Sequence, residues 1–114
     1  MRRRTTLLVA AVAAVMLLMS SAMALAATID CTPDEPCRGT PKKDTMRGTA
    51  ATDEMSGLRG DDMMESLGST DTLSGQRGDD TLEGGEGDDE LDGYFGNDTL
   101  HGSPGDDVMR GDDD

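Results

Sequence analysis

Apolar and polar positions follow a fixed nine-residue period through the C-terminal two thirds of the chain. A leucine or methionine stands at the eighth position of each unit, between neighbours that are mostly polar. These residues are Met46, Met55, Met64, Leu73, Leu82, Leu91, Leu100 and Met109. One apolar side chain between polar neighbours predicts a very short strand with one face directed inward. A unit this small cannot bury its apolar residue alone, so the period indicates a stack of repeats.

The other positions of the unit are in register as well. Glycine stands first in nearly every unit, and aspartate stands sixth in all eight. These aspartates are Asp44, Asp53, Asp62, Asp71, Asp80, Asp89, Asp98 and Asp107. The fourth position is glycine except at Lys42, Ala51 and Ser69, and glycine there permits the positive φ of a tight turn. The array from Gly39 to Arg110 is therefore predicted to be weak at its start and strong toward its C-terminus.

A turn followed by a short strand forms half of a coil, so two units complete one turn of a stack. The predicted fold is all-β: a parallel β-roll, or β-solenoid, of about four coils with two nonapeptides per coil, preceded by a signal peptide helix. Adjacent coils pair as parallel strands, and leucines and methionines from both sides fill a thin interior. At a strand spacing of ~4.8 Å, the stack would be about 19 Å tall.

The N-terminal segment predicts export. A short basic segment, Met1 to Arg4, precedes an apolar run from Leu7 to Met19, and Ala24-Leu25-Ala26 forms a small-x-small cleavage site. These three parts are typical of a secretory signal peptide over residues 1–26, removed after Ala26. An uncleaved membrane anchor is the alternative, because residues 5–27 are almost long enough to span a bilayer. The Ala-x-Ala site favours cleavage and hence a secreted, extracellular protein.

The only two cysteines lie between the signal and the repeats, in the segment of residues 27–38. Cys31 and Cys37 flank Pro33 and Pro36, and in an exported chain such a pair predicts a small disulfide loop. A metal site is the alternative, but the single histidine, His101, lies far along the chain and leaves two thiols without further ligands. A disulfide here would block the first open edge of the stack.

Composition excludes several classes of protein. The 114 residues are 34% hydrophobic but only 2% aromatic, so an ordinary globular core is not available, and there is room for one small domain. The formal net charge is −14, and cleavage of the signal would leave 24 carboxylates against seven basic residues, about −17. This charge excludes a nucleic-acid partner and an anionic membrane surface, and it suits a cation. No nucleophile–base pair is present, so we expect no enzyme activity.

The repeated carboxylates indicate which cation. Aspartates stacked in columns repel one another, so a bound cation is needed to neutralise them. Ca²⁺ accepts six to eight oxygen ligands in flexible geometry, including backbone carbonyls, whereas Mg²⁺ requires stricter octahedral order. Metals that prefer thiolate or imidazole find no ligand set in the repeats.

Four units from Gly75 to Arg110 read GQRGDDTLE, GGEGDDELD, GYFGNDTLH and GSPGDDVMR. They resemble the haemolysin-type, or RTX, calcium-binding nonapeptide G-G-x-G-x-D-x-U-x, and the resemblance extends over residues 39–114. It implies a parallel β-roll with calcium between the turn loops of alternate repeats, in a largely bacterial family. Two features depart from the family: an N-terminal, Sec-type signal where a C-terminal one is usual, and the lack of the segment that commonly caps such rolls.

The resemblance also implies a ligand set. The sixth-position aspartates would supply carboxylates and the turn backbone would supply carbonyls. The implied carboxylates are Asp62, Asp71, Asp80, Asp89, Asp98 and Asp107. The implied turn glycines are Gly57, Gly60, Gly75, Gly78, Gly84, Gly87, Gly93, Gly96, Gly102 and Gly105. The best sites would pair Asp62 with Asp80, Asp80 with Asp98, and Asp89 with Asp107, and the pair of Asp71 with Asp89 would be weaker.

The sequence therefore predicts an exported calcium-binding β-roll that folds on binding extracellular calcium. Calcium ions are the expected partner, with no nucleic acid and, after signal cleavage, no membrane. One alternative is a calcium-dependent surface or matrix module that engages a cell-surface or polysaccharide partner. A remnant of a larger RTX toxin or hydrolase is another. A disordered acidic tail is disfavoured, because disorder does not require aspartate and leucine to keep one register.

Overall fold

Short strands wind into a parallel β-roll in the computed structural model, which describes residues 26–112. The strands are β1 (Ala27–Asp30), β2 (Cys37–Arg38), β3 (Asp44–Arg47), β4 (Glu54–Arg59), β5 (Met63–Glu65), β6 (Thr72–Arg77), β7 (Thr81–Glu83), β8 (Glu90–Phe95), β9 (Thr99–His101) and β10 (Val108–Arg110). Within this range no helix is long and apolar enough to cross a membrane. The predicted signal peptide, up to residue 25, lies outside the described residues.

The strands form two sheets of five, in the orders β1-β3-β5-β7-β9 and β10-β8-β6-β4-β2. The chain alternates between the sheets, and every pairing is parallel. From β3 onward each residue lies beside the residue two units later; Met64 pairs with Leu82, and Leu73 with Leu91. The prediction of a β-roll with two nonapeptides per coil is confirmed.

The roll has about five coils, one more than the repeat frame contains, because residues 27–38 form a coil of their own. β1 pairs with β3 and β2 pairs with β4. Ile29 lies beside Met46, and Cys37 lies beside Met55, so both take the place of the repeat's inward leucine or methionine. The predicted disulfide between Cys31 and Cys37 is confirmed. It joins the two sides of the first coil at the edge of the core.

The interior is a single stacked column of apolar side chains. Six of the eight predicted inward residues are at most 1% exposed, and they interdigitate from the two sheets: Met46, Met55, Met64, Leu73, Leu82 and Leu91. Leu100 is half-buried against this cluster. Met109 is 51% exposed, contrary to the pattern, because β10 is the outermost strand of its sheet and only β8 lies beside it. Because the core is this thin, the stability of the stacked coils depends also on the loops and their aspartates.

Candidate metal centre

Carboxylates form two columns, one at the entry to each sheet. The first contains Asp44, Asp62, Asp80 and Asp98, and the second contains Asp53, Asp71, Asp89 and Asp107. Within a column the backbone N–H of each aspartate donates to Oδ1 of the aspartate 18 residues later. The N–H of Asp62 lies 2.8 Å from Oδ1 of Asp80. All four pairs that the resemblance implied as sites are therefore neighbours in the fold.

The second carboxylate oxygen of these aspartates has no partner. Oδ2 is buried and accepts no hydrogen bond in five of them, Asp62, Asp71, Asp80, Asp89 and Asp98. Buried polar atoms in folded proteins are almost always paired, and an unpaired charged one is destabilising by several kcal/mol. Five such atoms at equivalent positions indicate a ligand that the repeats share. A divalent cation fits them, because an ionised carboxylate oxygen can only accept.

The loops that carry these aspartates have a common backbone conformation. In every unit from Gly57 onward, the second and fourth residues both have a positive φ. The second residues are Leu58, Leu67, Gln76, Gly85, Tyr94 and Ser103, and the fourth are Gly60, Ser69, Gly78, Gly87, Gly96 and Gly105. Two positive φ values within four residues turn the chain sharply between sheets. The carbonyls of Arg77 and Phe95 in these turns already accept backbone N–H groups, and calcium accepts other backbone carbonyls beside carboxylates as ligands.

Glycine at the first and fourth positions of most units permits close contacts, within a loop at the first position and between coils at the fourth. A Cβ on Gly78 would overlap the carbonyl oxygen of Gly60 in the preceding coil. A Cβ on Gly75 would overlap Oδ2 of Asp80 within the same loop. A side chain at the first position would thus fill the space around the unpaired carboxylate oxygen. The glycines implied as site residues leave that space open.

The sequence model of the RTX calcium-binding nonapeptide repeat family matches the chain over residues 38–73, 66–100 and 84–114. The chain belongs to this RTX family. Searches of curated proteins and of solved structures found no significant match. Within residues 26–112, no cluster of three or more His, Cys, Asp or Glu side chains could hold an ion. An RTX site here would therefore combine two stacked aspartates with backbone carbonyls.

Burial disfavours the ionised form of four of the RTX aspartates. Desolvation raises the pKa of Asp62 to about 7, and the nearby charges of Asp80 and Asp44 add to the effect. Desolvation also raises the pKa of Asp80 to about 6, with a contribution from Asp98. The pKa values of Asp71 and Asp89 are raised for the same first reason. Calcium would offset this penalty, because positive charge beside a carboxylate favours its ionised form.

The first two units differ from the other RTX units. Oδ2 of Asp44 accepts the backbone N–H of Thr40 at 2.5 Å and its hydroxyl at 3.0 Å. Oδ2 of Asp53 accepts the N–H of Thr49 at 2.6 Å and its hydroxyl at 3.2 Å. These two carboxylates are satisfied without a metal, and their loops have no positive φ among the described residues. The start of the array, which the sequence predicts to be weak, thus differs from the later units in its loops and hydrogen bonds.

The unit that begins at Ser66 has the loop geometry of the later units, although its fourth residue is not glycine. Ser69 adopts a φ of 88°, and Oδ2 of Asp71 is unpaired like those of its neighbours. The hydroxyl of Ser66 donates to the carbonyl of Gly84 at 2.5 Å, so a side chain is accommodated at the first position. Asp71 and Asp89 thus share the hydrogen bond and the unpaired oxygens of the other pairs, and a weaker site for this pair stays a prediction.

Proposed function

We propose that this protein is an exported calcium-binding β-roll whose C-terminal coils fold when extracellular calcium binds. One observation carries the proposal: five buried carboxylate oxygens at equivalent RTX positions lack any partner. Membership of a calcium-binding repeat family and the curled, glycine-rich loops support it. The ligands would be the six aspartates from Asp62 to Asp107, with carbonyls from the loops between them.

Calcium would supply positive charge to each column and coordination for each unpaired oxygen. The chain's own contribution is orientation. Each aspartate N–H fixes Oδ1 of the next aspartate in its column, so that Oδ2 is left for the ion, as for Asp80 beside Asp62. Because every carboxylate is held by the preceding coil, a folded coil prepares the site of the coil that follows.

Export is part of the proposal. The predicted signal peptide would direct the chain out of the cell, and the Cys31–Cys37 disulfide is of a kind that persists in oxidising compartments. Cytosolic calcium is too scarce to occupy such sites, so the chain would cross the membrane before its repeats fold. Binding energy would then become folding energy outside.

Circular dichroism and calorimetry on residues 27–114 test this function. We expect millimolar calcium to increase the β-sheet signal and to bind with a measurable stoichiometry, while magnesium at the same concentration does neither. The matched control is a variant with Asp71, Asp80 and Asp89 all replaced by Asn, which should not respond to calcium. A wild-type spectrum that calcium leaves unchanged would refute the proposal.

A second candidate function, a surface interaction module, is favoured by the outer face of the second sheet. Its strands carry Arg38, Arg59, Arg77 and Arg110 against three carboxylates, in a chain of net charge −14. Arg59 and Arg77 are direct cross-strand neighbours, an arrangement of like charges that is unfavourable without a counter-ion. The only aromatic residues, Tyr94 and Phe95, are 40% and 53% exposed beside Arg77. This combination suits an anionic polysaccharide, with sugar faces on the rings and acid groups on the arginines.

Titration of the calcium-loaded protein with hyaluronate oligosaccharides tests the second candidate. Arg77→Ala and Phe95→Ala should weaken binding, whereas Arg47→Ala on the other sheet should not. Equal affinity for neutral chitin oligosaccharides would show that the arginines do not recognise the acid groups of the ligand. No binding to either would reject the module, and self-association in sedimentation would identify a second copy as the occupant instead.

A further inference from the structure

We propose that residues 27–56 form a cap that folds without calcium, and that the calcium-binding coils stack on it one after another. The inference rests on the proposed function and divides the RTX array into two parts with different requirements. In the cap, side chains and backbone satisfy the aspartates. In residues 57–112, the equivalent Oδ2 atoms of five aspartates have no hydrogen-bond partner and are open to an ion.

Thr40 and Thr49 take the place of the metal in the cap. Each stands second in its unit, and each brings a backbone N–H and a hydroxyl to Oδ2 of its own aspartate. In later units the second residue has a positive φ, a conformation that β-branched threonine strongly disfavours. Threonine therefore keeps the loop in the shape that closes on the carboxylate. Leucine, glutamine and glycine at the same position have no hydroxyl. Those of Tyr94 and Ser103 make no hydrogen bond to the aspartate of their unit among the described residues.

The cap also has covalent and apolar support of its own. Cys31 and Cys37 link its first coil. Five buried or partly buried apolar residues pack inside it, namely Ile29, Cys31, Cys37, Met46 and Met55. The N–H of Cys31 donates to the carbonyl of Arg47 at 2.8 Å, and that of Gly39 to the carbonyl of Ser56 at 2.7 Å. These hydrogen bonds close both sides of the cap without any residue beyond 56.

The cap provides hydrogen-bond donors and a loop surface on which the first metal-binding coil packs. The N–H groups of Asp44 and Asp53 donate to Oδ1 of Asp62 and Asp71, at 2.8 and 2.7 Å. The loop of the next unit lies on the cap's own loop, with Gly60 against the backbone of Lys42. The first carboxylate of each column is thus oriented by residues that need no ion. Calcium binding would begin at Asp62 and Asp71 and proceed toward the C-terminus, because each later carboxylate is oriented only after its predecessor folds.

Hydrogen exchange of the disulfide-intact chain of residues 27–114, followed by NMR with EDTA and then with calcium, tests the cap. In EDTA the amides of Cys31, Gly39, Thr40 and Thr49 should exchange at least about tenfold more slowly than those of Gly78 and Thr99. Adding calcium should bring the last two to the same protection, since they donate to Phe95 and Asp80 across metal-binding coils.

The failures of the two proposals are distinguishable. If no amide is protected in EDTA and calcium protects them all, the cap is refuted and the calcium function stands. Protection of residues 27–112 in EDTA that calcium does not change would refute both. Protection of the cap alone that calcium does not extend would leave the cap standing without the calcium function.

A pair of variants tests whether the threonines are responsible. The double variant Thr40→Ala, Thr49→Ala should lose the protection of Thr40 and Thr49 amides in EDTA. The matched control is Thr45→Ala, because Thr45 lies in the same part of the chain but on the exposed face. If the double variant keeps full protection in EDTA, the threonines do not stand in for the metal, and that part of the inference is wrong.

Discussion

Asp80 lies in the middle of its column and would serve two sites, one with Asp62 and one with Asp98. Replacing it by asparagine keeps an acceptor for the N–H of Asp62 but removes the charge and one ligating oxygen from both sites. We therefore expect Asp80→Asn to have opposite effects with and without calcium. The calcium-bound roll loses stability, whereas the calcium-free chain becomes no less ordered.

The two effects have different magnitudes, one in calcium and one without it. Each site occupied at 100 times its dissociation constant contributes ~2.7 kcal/mol, so losing two sites removes about 5 kcal/mol from the free energy of unfolding in calcium. Without calcium, the pKa of Asp80 is raised to about 6, so ionising it at neutral pH opposes folding. The free energy equivalent is ~3 kcal/mol before solvent screening and about 1–2 kcal/mol after it. Asparagine removes that penalty.

Urea unfolding followed by circular dichroism, in calcium and in EDTA, measures both effects, and calorimetry counts the ions. The bound calcium should fall by two relative to the wild type, and by one for Asp107→Asn, which ends its column in the described residues. The control is Asp79→Asn, since asparagine already stands at the equivalent position, Asn97, and Asp79 is exposed. If Asp80→Asn lowers order in EDTA as much as in calcium, the carboxylate is structural and the reasoning is wrong.

Three further predictions address pH, packing and the disulfide. Acid should weaken calcium binding and should order the calcium-free chain. Folding raises the pKa of Asp62 from 3.8 to about 7, so the stability of the calcium-free chain falls as the pH rises between these values. Circular dichroism in EDTA would detect this loss of order. Gly78→Ala should destabilise the calcium-bound roll by at least about 1–3 kcal/mol in urea unfolding, because its Cβ would overlap the carbonyl of Gly60; Gly111→Ala, which meets nothing within 4 Å, should be neutral. Cys37→Ser should lower the thermal midpoint of the calcium-free cap, because the free energy of unfolding falls by about 2 kcal/mol when the disulfide is lost. An unchanged midpoint would show that the disulfide does not stabilise the cap.

The nine-residue period was sufficient to predict the roll, its register and both aspartate columns. The reason is that a solenoid repeats one local geometry, so sequence distance converts directly into spatial neighbourhood. Asp62 and Asp80 meet because two units make a coil, and Leu73 meets Leu91 for the same reason. Few folds allow so direct an inference from spacing.

Departures from the period were harder to predict. The first coil lacks the glycine and aspartate positions, and β1 is offset by 17 residues from β3 rather than 18, so the repeat frame misses it. Cys37 did fall at the eighth position of a unit extended backward, which was an available signal. The roles of Thr40 and Thr49 depend on side-chain direction, which a one-letter pattern does not contain. Met109 fits the pattern but is exposed, because burial depends on a neighbouring coil.

The apolar column changes along the roll from methionine in its first half to leucine in its second, and this has a chemical consequence. A thioether outside the cell is open to oxidation, and a sulfoxide is too polar for the core it would have to re-enter. Met46 and Met55 lie in the part proposed to fold without calcium, whereas Met63 and Met109 are 54% and 51% exposed. Dilute peroxide in EDTA should therefore oxidise Met63 and Met109 before Met46 and Met55. Early folding of the cap would thus protect Met46 and Met55 from oxidation until calcium binds.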